Sequence, residues 1–142
     1  MKILVLNGPN VNLLGAREPE VYGTTTLPEL EAACSEWGDA LGSIVEARQS
    51  NHEGELIDWV QGAAHEGAGG IVLNAGGYSH TSVALRDAVA AIDLPVIEVH
   101  LSNVHARESF RHESLLAPVC AGTISGLGAI GYRAAIEALA RS

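Results

Sequence analysis

The run Lys2-Ile3-Leu4-Val5-Leu6-Asn7, followed by the connection from Asn7 to Gly23 and then by Thr26-Leu27-Pro28-Glu29, decides the fold. Ile3-Leu4-Val5-Leu6 is an apolar strand. Thr26 and Glu29 form a capping box with proline in the first turn, which starts a helix. The connection between them is the unusual part. A structureless link of more than about 12 to 15 residues is uncommon in a compact domain and is usually functional or disordered. This one carries Asn7, Asn10, Asn12, Arg17 and Tyr22, side chains that bind and move protons, with Leu13, Leu14 and Val21 as apolar anchors. The anchors predict an ordered lid over a site.

Outward from this unit the same alternation continues to the end of the chain. Strand-like runs occupy 2–7, 43–48, 70–74, 95–101 and 119–124. Helical spacing fills the gaps. Leu27, Leu30, Cys34, Trp37 and Leu41 mark the first helix, and Leu56, Ile57, Val60 and Ala64 a second over about 54–66. Leu85, Val89 and Ile92 mark a third that begins near Thr81 or Ser82; Ile130, Ala134, Ala138 and Leu139 mark the last. The pattern predicts an α/β chain, a three-layer flavodoxin-like fold with a five-stranded parallel sheet and helices on both faces. Residues 1–142 read as a single domain, without repeats or linkers. A composition that is 47% hydrophobic but only 4% aromatic suits such a sheet, with a core of Ala, Val, Leu and Ile.

A formal net charge of −9, from 8 basic and 17 acidic residues, argues against nucleic acid or an anionic membrane as partner. No apolar run approaches the ~18 residues of a membrane span, and the N-terminus has no signal-peptide pattern. These features predict a soluble, cytoplasmic protein. Cys34 and Cys120 have no CxxC spacing and read as buried thiols in a reducing compartment.

Ligands of open α/β sheets bind outside the carboxyl ends of the strands. The polar residues of this chain gather there: Asn7, Asn10 and Asn12 after the first strand, Gln49-Ser50-Asn51-His52-Glu53 after the second, Asn74 to Thr81 after the third, and Glu98 to Asn103 at the fourth. The starts of the strands have nothing comparable, so the carboxyl edge is the expected site. Asn10, Asn51 and Ser79 also fit plain turn positions, and His52 a helix cap. Glu98 and His100 share one face of their strand. A carboxylate there orients an imidazole and favours its charged form; a surface salt pair is the alternative. Arg107 and Arg111 are four apart, on one face if that stretch is helical, and suit either a carboxylate clamp or a solvated turn.

Other chemistries lack their residues. The six histidines show no zinc-ligand spacing, so no metal site is expected, and no GxxxxGK phosphate loop is present. Gly126, Gly128 and Gly131 have G-x-G-x-x-G spacing, but at the last helix instead of the first. Gly77 to Thr81 imitates a nucleophile elbow without its closing glycine. Lys2, the one lysine, is at the wrong end of the first strand for a Schiff base. Proton transfer by Tyr and His, with Asn and Arg stabilising charge, is what remains.

The segments LNGPNVNLLGAREPEVYG (6–23), QSNHEGELID (49–58), NAGGYSHTSVALRDA (74–88) and EVHLSNVHARESFRHES (98–114) resemble the type II 3-dehydroquinate dehydratases. Val11, Ala75 and Ser79 depart from the residues usual there and remove no functional group. The resemblance implies anti elimination of water from 3-dehydroquinate, an anionic small molecule, through an enolate to give 3-dehydroshikimate. It implies no metal, cofactor or imine, and a place in the shikimate pathway or quinate breakdown. It further implies Tyr22 as the base, with Arg17 and Arg107 supplying the charge that favours a phenolate, since an ordinary tyrosine titrates near about 10. Asn12 would hold a water at the enolate oxygen, and His100, oriented by Glu98, would protonate the leaving hydroxyl. Asn74 with the amides of Leu101 and Ser102 would bind the carboxylate, and His80 and Arg111 the ring hydroxyls. Asp87 would reach a neighbouring subunit, in trimers that assemble into a dodecamer. Two readings compete: a non-catalytic flavodoxin-like module for FMN or a phosphate ligand, and a serine hydrolase using Ser79.

Overall fold

The computed structural model describes residues 1–142. Its strands are β1 (Lys2–Asn7), β2 (Ile44–Gln49), β3 (Ala68–Asn74), β4 (Val96–His100) and β5 (Gly122–Ser125), all parallel in the order β2-β1-β3-β4-β5. That order is the flavodoxin-like one, with its switch point between β1 and β3. The helices are α1 (Pro19–Tyr22), α2 (Leu27–Asp39), α3 (Glu53–Gly62), α4 (Val83–Ala91) and α5 (Ile130–Ala140). No helix is long and apolar enough to cross a membrane.

The alternation of strand side chains sorts the core into two layers. Leu4, Leu6, Ile71 and Leu73 pack with Leu56 and Val60 of α3 and Leu85 and Val89 of α4. Ile3, Val5, Val72 and Val99 point the other way, onto Leu30 and Cys34 of α2 and Tyr132, Ile136 and Leu139 of α5. The helix starts follow the sequence signals. Thr26 Oγ1 accepts from the Glu29 amide, and Ser82 Oγ accepts from the Leu85 amide at 2.9 Å. His52 occupies the N-cap position of α3, but its side chain makes no capping bond.

Three local expectations are corrected. The α-helical part of the second helix ends at Gly62, and a 3-10 turn over Ala64–Glu66 follows, so Ala63 is buried in place of Ala64. The 119–124 run is not all strand. Pro118 belongs to a 3-10 turn, Ala117–Val119, so β5 starts only at Gly122 and Cys120 packs beside the α3/α4 layer. The buried stripe of α5 is Tyr132, Ala135, Ile136 and Leu139, whereas Ile130 is 55% exposed. Following aliphatic residues alone rotates that helix, because its largest core side chain is a tyrosine.

The register sets the site. Asn7 pairs laterally with both Gln49 and Asn74, and His100 with Ser125, so the polar strand ends form one row. Gly8 continues β1 and donates its amide to the Asn74 carbonyl at 2.7 Å. A Cβ on Gly8 would lie 2.7 Å from the Ala75 carbonyl oxygen and 2.8 Å from its carbon, both backbone atoms that cannot give way. Gly8→Ala is therefore expected to lower unfolding free energy by about 2 to 3 kcal/mol in denaturant titration; wild-type stability in that variant would contradict this packing.

Candidate active site

A cavity opens at the carboxyl edge, between the connection after β1 and the segments after β3 and β4. The first connection is ordered, with a 3-10 turn at Val11–Leu13 and the single turn α1. Asn10 and Glu18 hold left-handed backbone, φ 70° and 39°, to start these turns. For Glu18 that conformation costs on the order of 1 kcal/mol. Its effect is to direct Arg17 and Tyr22 into the cavity.

Tyr22 meets two guanidiniums. Arg107 Nη1 donates to its phenol oxygen at 2.6 Å, and the Arg17 and Arg107 guanidinium carbons lie 4.9 Å and 5.0 Å from its ring centroid. Arg107 and Arg111 do not share a helix face. They belong to two separate 3-10 turns, Val104–Ala106 with Arg107 as its C-cap and Ser109–Arg111, and both line the cavity. Arg111 Nε donates to Glu108, whose carboxyl this contact holds below the usual carboxylate range. Ser125 Oγ secures the same region by donating to the Ser102 carbonyl and accepting from the Val104 amide.

Across the cavity the two histidines stack, with ring centroids 6.0 Å apart. His100 Nε2 is 2.6 Å from Glu98 Oε2, and Glu98 is only 1% exposed. The carboxylate accepts, so Nε2 carries a hydrogen and Nδ1 is left to exchange a proton. His80 Nδ1 faces the Glu113 carbonyl at 2.7 Å; a carbonyl only accepts, so Nε2 is the acceptor in the neutral ring. Asn74, Leu101 and Ser102 complete the predicted residues that line the cavity.

Three predicted residues are not in the lining: Glu98, which is buried behind His100, Asn12 and Asp87. Asn12 is exposed on its 3-10 turn, and its amide oxygen faces Gln49 Nε2 at 3.4 Å, although its neighbours Asn10 and Val11 line the cavity. Asp87 is on the surface of α4, paired with Arg86. Asn10, a candidate turn former, lines the cavity, whereas Asn51 buttresses it by accepting from the Asn10 amide. Ser79 is fully buried inside the Gly76–His80 turn with its hydroxyl unpartnered and no histidine as base, which disfavours a serine nucleophile.

Sequence reasoning overlooked Ser114. Its oxygen accepts from the Leu116 and Ala117 amides at 3.1 Å, so its one hydrogen goes to Glu98, whose two oxygens lie at 2.9 and 2.7 Å. The residue closes the 98–114 segment, but nothing in the sequence shows that it folds back under Glu98. Tyr132 was also missed, and Asn7, expected at this edge, is turned away from the cavity toward it.

The family model described as Dehydroquinase class II matches residues 1–140. The chain belongs to the class II dehydroquinases. The 3-dehydroquinate dehydratase of a Chelativorans species is 61% identical over 139 residues, covering 97% of this chain and 95% of that protein. That of Thermus thermophilus is 58% identical over 140 residues, covering 99% and 94%. The crystal structure of the type II dehydroquinase from Propionibacterium acnes superposes with a TM-score of 0.96 at 45% identity, covering 99% of this chain and 97% of that one. Membership of this family disfavours the FMN-binding module, and the first connection presents Arg17 and Tyr22 where such a module would wrap phosphate.

Behind the site, burial together with the Glu98 carboxylate pushes the Cys120 thiol up to about 12, and burial with Glu31 does the same for Cys34. Thiolates are the reactive form. Neither cysteine is therefore expected to react with a disulfide reagent at pH 8 in the folded protein, and both should react after unfolding. Rapid labelling of native Cys120 would contradict its packing.

Proposed function

We propose that this chain is a hydro-lyase, a type II 3-dehydroquinate dehydratase that removes water from 3-dehydroquinate to give 3-dehydroshikimate in the shikimate pathway. One observation carries the mechanism: a tyrosine held by an arginine and a histidine held by a buried carboxylate line the same cavity. That is a base and an acid placed for an elimination.

In this reading the Tyr22 phenolate takes the proton alpha to the ketone. The electron pair moves onto the carbonyl oxygen as an enolate, and a water held by Asn12 stabilises that oxygen. Collapse of the enolate forms the new carbon–carbon double bond and expels the hydroxyl. His100 gives that hydroxyl its Nδ1 proton while Glu98 keeps the ring oriented, so it leaves as water. The cycle closes when Tyr22 loses its proton and His100 regains one. Asn74 and the amides of Leu101 and Ser102 bind the carboxylate, His80 Nε2 accepts from a ring hydroxyl, and Arg111 donates to another.

No step calls for an imine. Lys2 is at the far end of β1, donating to the Glu66 carbonyl and paired with Glu46. Residues 1–142 act in this reading as one catalytic domain in the cytoplasm. Asp87, which its own chain's cavity does not use, is assigned to a neighbouring subunit's site, in trimers that build a dodecamer.

Tyr22→Phe keeps the ring beside both guanidiniums and removes only the proton acceptor. Its kcat is expected to fall by at least about a thousandfold, with ligand binding retained by calorimetry. Near-normal turnover would remove Tyr22 from the base role.

A further inference from the structure

Asn74 reaches the cavity from inside the protein, and its amide is held at both ends. Oδ1 accepts from the Gly76 amide at 3.1 Å, and Nδ2 donates to the Tyr132 phenol at 2.7 Å. The phenol in turn is 2.6 Å from Asn7 Oδ1. Tyr132 and Asn7 are fully buried, on the side of the sheet covered by α2 and α5, and neither lines the cavity.

The Gly76 amide forces the orientation of Asn74. A backbone N–H only donates, so the oxygen of Asn74 must face Gly76 and its nitrogen must face Tyr132. The phenol then accepts from Asn74 and spends its own hydrogen on Asn7. Reversing Asn74 sets donor against donor at Gly76, and reversing Asn7 leaves the phenol hydrogen without an acceptor. The fold keeps this arrangement although it leaves Asn7 Nδ2 buried without a partner, a costly state that calls for an explanation.

The consequence appears at the cavity. With one Nδ2 hydrogen on Tyr132 and the oxygen on Gly76, the second Nδ2 hydrogen is the donor Asn74 has left to offer an anionic ligand. A flipped amide would present a lone pair instead and repel an anion. We propose that Tyr132 is a positioning residue, holding Asn74 as a hydrogen-bond donor and so making this subsite selective for a carboxylate. The inference rests on the assignment of Asn74 to the substrate carboxylate made above. Burial, which pushes the Tyr132 phenol well above its ordinary range, keeps it neutral and able to donate at every working pH.

Steady-state kinetics on Asn74→Ala, Tyr132→Phe and the double variant test the proposal. Tyr132→Phe is expected to raise KM about tenfold while kcat changes by less than about threefold, because the lost interaction binds substrate without touching the reacting atoms. In the Asn74→Ala background the same substitution should change KM by less than about twofold, since its effect acts through Asn74. Equal effects in both backgrounds, or an unchanged KM in Tyr132→Phe, would overturn the proposal. An unchanged KM in Asn74→Ala alone would instead overturn the carboxylate assignment beneath it. If Tyr132→Phe does not fold, Asn7→Ala serves in its place. It removes the far acceptor together with the unpartnered amide, and the same non-additive rise in KM is expected. Additivity there would count equally against the proposal.

Discussion

The pairing of β1 with β3 is the constraint on which the rest of this molecule depends. It sets Asn7 beside Asn74 at the end of the sheet and lets the Gly8 amide close onto the Asn74 carbonyl. From that point the first connection must turn outward over the edge, carrying Arg17 and Tyr22 above the histidines that β4 and the β3–α4 turn supply. A one-residue slip would exchange the two faces of β1, turning Leu4 and Leu6 away from their layer and Asn7 away from Tyr132. Fold and site are thus specified by the same register.

Charge is distributed to match. The surface is acidic overall, with a net charge of −9. Outside the cavity, Arg48 is bound by Glu46 and Glu66, Arg86 by Asp87, and Arg141 by Glu137. Arg17, Arg107 and Arg111 converge on the cavity, which concentrates positive potential where an anion would enter. The carboxylate beneath them, Glu98, is hydrogen-bonded locally: it accepts from His100 and from Ser114 and is closed off from solvent. Buried charge of this kind persists only when fully hydrogen-bonded, which explains the extensive support given to one serine hydroxyl.

Much of this was legible in the sequence, because strand ends are easy to locate in a chain of buried parallel strands. The clustering of polar residues after each apolar run gave the edge, and the Glu98/His100 alternation gave their shared face. The resemblance supplied the roles of Tyr22 and Arg107, whose contact spans a separation of 85 residues and has no local signature. What stayed hidden has the same physical character. Ser114 acts on Glu98 because the chain folds back beneath β4. Tyr132 acts on Asn74 because α5 packs across β3 and β4, with the phenol reaching Asn7 at the end of β1. Helical periodicity reports only that such residues are buried, and in α5 the buried face is centred on a tyrosine that aliphatic spacing passes over.

The proposed dehydration is carried by side-chain acid and base, without an imine. It is tested most directly by ultraviolet absorbance after adding 3-dehydroquinate to the protein, in parallel with a sample first treated with substrate and borohydride. Loss of water conjugates a new double bond with the ketone, so the account predicts a rising enone band of equal rate in both samples. A borohydride-inactivated sample would reveal an imine and contradict the mechanism; no rise in either, from folded protein, would contradict the activity itself.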